Sequence, residues 1–158
     1  MGRVLSGGGS ATAPVPRELV RDALFDPGRL ARAIPGAQSV DQLDAGRFGA
    51  RLDFGVGPFR SVYAVELVVS ASDRPFEFTV SGYSAGGLGN GRATGQVRLF
   101  TQPRSRTTIE WTYDGDIGGP VALAGRTLLA GAARVFCARF FDQLIRDLGR
   151  DASTGRLS

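Results

Sequence analysis

From residue 37 to residue 117 apolar and polar positions alternate, the two-residue period of strands that bury one face and wet the other. Residues 47–56 set Phe48, Ala50, Leu52, Phe54 and Val56 against Arg47, Arg51 and Asp53, and Gly55-Val56-Gly57-Pro58 reads as a turn. Residues 59–71 set Phe59, Tyr63, Val65, Leu67 and Val69 against Arg60, Glu66 and Ser70, until Asp73-Arg74-Pro75 breaks the pattern. Phe76, Phe78 and Val80 then alternate with Glu77, Thr79 and Ser81, and Ala93, Gly95, Val97 and Leu99 with Arg92, Thr94, Gln96 and Arg98. Ile109, Trp111, Tyr113 and Ile117 alternate with Thr108, Glu110, Thr112 and Asp114. These five strands, six with residues 39–43, predict an antiparallel meander with one wet face.

The period changes after Gly118-Gly119. Pro120 suits a first helical turn, where its missing N–H has no intrahelical partner, so the spacing predicts one long helix from there to about residue 149. Ala124, Leu128, Ala132, Val135, Phe136, Phe140 and Leu144 form its apolar stripe, widened by Leu129, Ala133, Phe141, Ile145 and Leu148. Arg126, Arg134, Arg139, Asp142, Arg146 and Asp147 take the remaining surface. Near the start, Leu19, Val20, Ala23 and Leu24 have helical spacing and stop at Asp26-Pro27, and a second short helix over 28–34 ends at Pro35-Gly36. These two helices are expected to clamp one end of the sheet. Within the Gly- and Ser-rich residues 1–14, either 3–5 or 10–13 adds a short first strand. The expected architecture is α+β: a long C-terminal helix laid across a curved antiparallel sheet of six to seven strands, in one domain over 1–149 with a polar tail at 150–158.

With 158 residues, 42% of them hydrophobic, the chain has enough apolar side chains for one real core. No apolar run approaches the roughly 20 residues of a membrane-spanning helix, and the first residues lack the apolar centre of a signal peptide, so the expected compartment is the cytoplasm. All 19 basic residues are arginine and there is no histidine. A lysine Schiff base, a histidine general base and a histidine-containing metal site are thereby excluded. Cys137, the only cysteine, cannot form an intramolecular disulfide and reads as a small buried hydrophobe. The net charge is +4 and the pI about 10.2, but the arginines are scattered singly, without a recognition helix or an aromatic RNA-binding motif, which argues against a nucleic-acid partner.

Several positions expected to face inward are small: Ala50, Ala93 and Gly95 on strands, Ala124, Gly125, Gly131, Ala132 and Ala133 on the helix. Small residues either let backbones approach or leave room for a ligand, and the pattern alone permits both. If there is room, Phe48, Phe54, Phe59, Tyr63, Phe78, Trp111, Tyr113 and Phe136 line it, with Leu128 and Ala132 from the helix stripe, and suit a flat apolar ligand. Arg126 stands nearest the expected mouth, placed to hold a polar ligand end or a partner carboxylate. Phe59, Leu88 and Leu123 are the mouth residues expected to touch lipid. The glycine-rich stretch 84–95 lacks the Lys-Ser/Thr ending of a phosphate loop and reads as a strand connection. Glu110, Asp114 and Asp116 read as a solvated acidic ladder, since acid/base work would need burial to shift them.

Three stretches together resemble the CoxG family, the G subunits of carbon monoxide dehydrogenase, within the START/polyketide-cyclase-like (SRPBCC) superfamily: FDPGRLARAIPGA at 25–37, GVGPF at 55–59, and IGGPVALAGRTLLAGAARVFCARFFDQL at 117–144. The resemblance covers roughly residues 10–148. It implies the helix-grip fold around an apolar cavity. It also implies a role beside a molybdenum-containing hydroxylase such as carbon monoxide dehydrogenase, in membrane recruitment and in handling an isoprenoid quinone as electron acceptor. The apolar inner face, with no histidine or lysine, makes a non-enzymatic binding module, holding the quinone non-covalently, the leading expectation. The alternative is a cyclase or aromatase acting on a polyketide-like substrate in the same cavity, with Tyr63, Tyr113 or Asp53 as candidates. Two departures stand out: Pro120 follows the glycine pair where a longer, often basic or polar residue is expected, and residues 150–158 are short and polar where longer relatives carry a membrane-attaching extension. Only weak peripheral membrane contact is therefore expected.

Overall fold

The computed structural model describes residues 3–84 and 88–154. The first strand, β1 (Arg3–Ala13), is one continuous element, so the two short alternatives at 3–5 and 10–13 are joined through Gly7-Gly8-Gly9. Its partner β7 (Arg106–Gly118) explains the glycines. Tyr113 and Trp111 of β7 stand directly opposite Gly7 and Gly9. A Cβ on Gly9 would lie 2.5 Å from Cζ2 of Trp111, and one on Gly7 would fall on the Tyr113 hydroxyl. Bare backbone is what lets these two rings lie across the edge strand, while the ladder keeps that backbone extended.

The remaining strands are β2 (Ala37–Asp44), β3 (Arg47–Val56), β4 (Phe59–Ala71), β5 (Glu77–Ser84) and β6 (Asn90–Gln102), and all pairs are antiparallel. The sheet runs β1-β7-β6-β5-β4-β3-β2, the expected meander with β1 added beside its last strand. Helices α1 (Arg17–Ala23) and α2 (Pro27–Ala33) carry the chain from one sheet edge to the other. The Asp26 carboxylate caps α2, accepting from the N–H groups of Gly28 (2.9 Å) and Arg29 (3.3 Å), and Pro27 fills the first helical position.

The long helix begins later than the spacing predicts. Residues Pro120–Ala124 form a separate 3-10 turn, and α3 runs Arg126–Ser153. Gly125 divides them at φ 93°, a region L side chains rarely adopt. The Val121 N–H also leaves the helical ladder, donating to the Leu88 carbonyl at 2.8 Å, so this turn is docked on the β5–β6 connection. Residues 85–87 of that connection, and 155–158 of the expected tail, lie outside the described residues. Past Gly149 the helix continues for one more turn, so the tail expected from 150 starts as helix.

The stripe is also turned from its expected setting. Leu129, Phe141, Leu144 and Leu148 are buried, whereas Leu128 and Val135 are 46% and 52% exposed. Asp147, expected at the surface, is buried because α2 brings two guanidinium groups to it. Arg29 donates to Asp147 at 2.8 Å and to Asp151 at 2.7 Å, and Arg32 donates to both Asp147 oxygens at 3.1 Å. With its amide turned so that the nitrogen faces α2, the orientation that satisfies both amide atoms, Gln143 donates to the Arg32 and Ala33 carbonyls at 3.2 and 2.9 Å at the α2 C-terminus. Two buried clusters result. The larger includes Val20, Phe48, Ile109, Leu144 and Leu148; the smaller comprises Leu5, Val121 and Leu129.

Candidate functional site

The two clusters do not merge because a space separates them. Leu24, Leu30, Ile34 and Leu52 of the larger cluster, and Leu5 and Leu129 of the smaller, all face a cavity of about 450 Å³ between sheet and α3. Alternation supplies its floor: Val65 and Leu67 on β4, Val80 and Gly82 on β5, Ala93, Gly95 and Val97 on β6, Trp111 and Tyr113 on β7. The helix supplies its roof with Ala132, Ala133, Phe136, Cys137, Phe140 and Phe141. A Cβ built on Gly82 or Gly95 would meet only atoms of neighbouring strands, Leu67 for the first and Thr112, Val80 and Tyr113 for the second. The glycines therefore do not serve close helix approach; small residues here leave room. Ala93 shares the inward face with buried Val97 and Leu99 yet is exposed, which marks where the cavity meets solvent.

Aromatic contacts hold the walls. Phe54 and Phe136 meet edge to face at 5.3 Å across the cavity, and Trp111 stacks on Phe141 at 4.3 Å. Tyr83, Arg92, Thr112 and Asp116 border the space as exposed side chains, and Ser84, Tyr113 and Cys137 are the half-buried polar groups. Desolvation pushes the Cys137 thiol up to about 11, so it is neutral. Burial also raises the Tyr113 phenol, with nearby Cys137 in the same direction and Arg134 opposing. The Ser84 hydroxyl donates to the Ala64 carbonyl at 3.0 Å. Tyr113 differs: its hydroxyl has no protein hydrogen-bond partner among the described residues and is open to solvent, not sealed in the core.

Of the side chains expected to line such a space, Phe54, Trp111, Tyr113, Ala132 and Phe136 do. Phe48 and Phe78 instead lie fully inside the larger cluster, Phe78 edge-on to Phe25 at 6.0 Å. Phe59 packs on the smaller cluster, and the half-buried Tyr63 donates to the Phe59 carbonyl at 3.2 Å. Leu88 is half-buried where its carbonyl receives the 3-10 turn. Leu123 is 80% exposed, Leu128 is exposed beside the Gly57 turn, and Arg126 is an exposed first residue of α3, not a residue one turn inside it. Asp53, named with Tyr63 and Tyr113 for cyclase chemistry, pairs with Arg60 at 3.3 Å on the outer face, so only Tyr113 of the three faces the cavity. Cys137 and the contributions of Leu24, Leu30 and Ile34 are additions. Cys137 was legible, since it lies four residues after Ala133 on one helix face; the other three depend on where α1 and α2 dock. Among the described residues no group of His, Cys, Asp and Glu side chains could hold a metal ion.

No curated protein matches the sequence. Solved structures do. A conserved protein from Geobacillus kaustophilus is similar at 25% identity and a TM-score of 0.84, over 92% of this chain and 96% of that one. The ZhuI aromatase/cyclase from Streptomyces sp. R1128 is similar in fold at 17% identity and a TM-score of 0.70, over 95% and 96% of the two chains. A START superfamily protein from Mycobacterium smegmatis shares the fold at 8% identity and a TM-score of 0.72, over 92% and 97%. The expected α+β helix-grip architecture is thus the observed one. Family and fold support a protein that binds a hydrophobic ligand. Residues 9–149 match the profile of the carbon monoxide dehydrogenase G subunit, and the chain belongs to that family, CoxG.

Proposed function

We propose that the protein binds an isoprenoid quinone, or an apolar molecule of similar shape, in the cavity under α3 and works with a molybdenum-containing hydroxylase such as carbon monoxide dehydrogenase. One observation carries the reading: an apolar space of about 450 Å³ with aromatic walls, inside the roughly 300–1,000 Å³ range of small-molecule pockets. Family membership supplies the partner class. The chemistry of the walls supports a quinone in particular. A quinone is open to attack by thiolates, and the one thiol facing the cavity is held neutral by burial.

Among the described residues no helix is long and apolar enough to cross a membrane. A ligand drawn from a bilayer would then be loaded through peripheral contact, with the exposed Leu123 and Leu128 nearest the lipid and basic residues adding about 1 kcal/mol each at an anionic surface, screened by salt.

The test is organic extraction of the purified protein followed by mass spectrometry, with loading by a short-chain quinone as the second arm. Cys137 gives an independent reading as the only thiol of the chain. A rise from about 9 to about 11 lowers its thiolate fraction about a hundredfold, so maleimide labelling at pH 7 is expected to be slower than on an exposed thiol by that order, and slower again with quinone bound. No extractable ligand, no loading and unaltered labelling would together refute the proposal.

A further inference from the structure

The cavity is apolar on nearly every side, which would make it indifferent to which apolar molecule enters. Tyr83, Arg92, Thr112 and Asp116 border it as exposed side chains and the Ser84 hydroxyl is taken by the Ala64 carbonyl, which leaves one half-buried hydroxyl to break that indifference. On β7, Tyr113 points inward between Trp111 and Gly115, and its hydroxyl lacks a protein partner among the described residues. Its ring lies over Gly7 of β1, where any added side chain would collide with it, so the bare edge strand gives the phenol its room. Its neighbours are the Cys137 thiol and the exposed Arg134 guanidinium, both from α3. Neither is hydrogen-bonded to it, so the phenol keeps its own hydrogen to offer.

We propose that Tyr113 selects, among apolar ligands of the right shape, those carrying a neutral acceptor oxygen such as a ring carbonyl, by donating its phenolic hydrogen to that oxygen. This rests on the cavity being the ligand site. The partly desolvated surroundings disfavour a charged oxygen, which directs the choice to a carbonyl and away from a carboxylate. Burial keeps the phenol protonated, hence a donor, at neutral and moderately alkaline pH. Tyr113 here is a specificity-determining residue.

Trp111, the single tryptophan, lines the same cavity and reports occupancy by its fluorescence. The two probes are a naphthoquinone methylated at both free quinone carbons, which leaves the thiol no open position for addition, and dimethylnaphthalene, the same rings without oxygen. Wild-type protein is expected to bind the quinone more tightly than the hydrocarbon. Tyr113→Phe keeps the ring and removes the donor. It is expected to weaken quinone binding about three- to tenfold, the span of one net hydrogen bond, and to leave hydrocarbon binding unchanged. Gly7→Ala is expected to lose the same preference, with the hydroxyl present but displaced. Equal quinone affinity in wild type and Tyr113→Phe overturns the inference, and so does equal weakening of both probes, which would indicate only a structural role. If neither probe binds wild-type protein, the cavity reading itself fails and this inference with it.

Discussion

The two ends of α3 are built on opposite principles. From Leu144 to Ser153 the helix is pinned: Leu144 and Leu148 are 0% and 1% exposed, and Asp147 and Asp151 receive Arg29 and Arg32 from α2. From Arg126 to Cys137 the same helix roofs the cavity with Ala132, Ala133 and Phe136, buries only Leu129 fully, and leaves Leu128 exposed. Protein interiors are ordinarily close-packed, so an unfilled apolar space forgoes dispersion contacts and needs support from elsewhere. The pinned end supplies it. Rigidity at one end is what permits room at the other.

The largest effect is expected where packing is complete. Leu144→Ala removes a fully buried side chain and should destabilise by about 4 kcal/mol in chemical denaturation, with the cavity end unaffected in ligand affinity per folded molecule. A cost below about 1 kcal/mol would mean that the pinned end is as loosely packed as the open one.

Next comes the ionic clamp. Burial pushes the Asp147 carboxyl up, but hydrogen bonds from Arg32 and Arg29 outweigh it and hold the group below its ordinary value of about 3.8. A carboxylate depressed in the folded state contributes stability that is present above the unfolded value and is lost as pH falls through the folded one. Asp147→Ala should therefore cost about 2 kcal/mol at pH 7, because it leaves the buried Arg29 with Asp151 alone and the half-exposed Arg32 without its carboxylate. The gap between wild type and variant should shrink as pH drops below about 3.8. A gap independent of pH would show that the residue matters for packing and not for charge.

The smallest effects come from two helical glycines, one at each end. A Cβ on Gly131 meets nothing within 4 Å, so Gly131→Ala should stabilise by about 0.5 to 1 kcal/mol through helix propensity alone. At Gly149 the new methyl would sit 3.4 Å from Cγ of Pro14, and the same substitution should gain less. Paired thermal melts decide it; equal gains would erase the contrast between the ends.

Much of the sheet was legible because period two is a local property: β3 and β4 begin and end where alternation and turn residues place them. The triple glycine of β1 was not, since its reason sits on β7, a hundred residues away in sequence. Site residues divide the same way. Phe54, Trp111 and Tyr113 follow from strand parity, and Ala132 and Phe136 from helical spacing. Phe48 and Phe78 share that parity but sit under the larger cluster, because parity gives a face and not a position along it. Leu128 and Val135 share the helical spacing yet face outward, because Gly125 ends the 3-10 turn and α3 settles on its Leu129 side.

By itself, then, the sequence determined the class of fold, the inward face of each strand, the family, and the absence of histidine and lysine chemistry, all of which follow from residue types and short-range spacing. The tertiary structure alone decided that the small residues of sheet and helix enclose space instead of touching, that Asp147 is a buried anchor, and that Tyr113 lines the cavity with a hydroxyl that has no protein partner among the described residues. The physical reason is separation in the chain. Room, burial and pairing depend on which distant segments meet, and a pattern of period two or of three to four carries no record of that meeting.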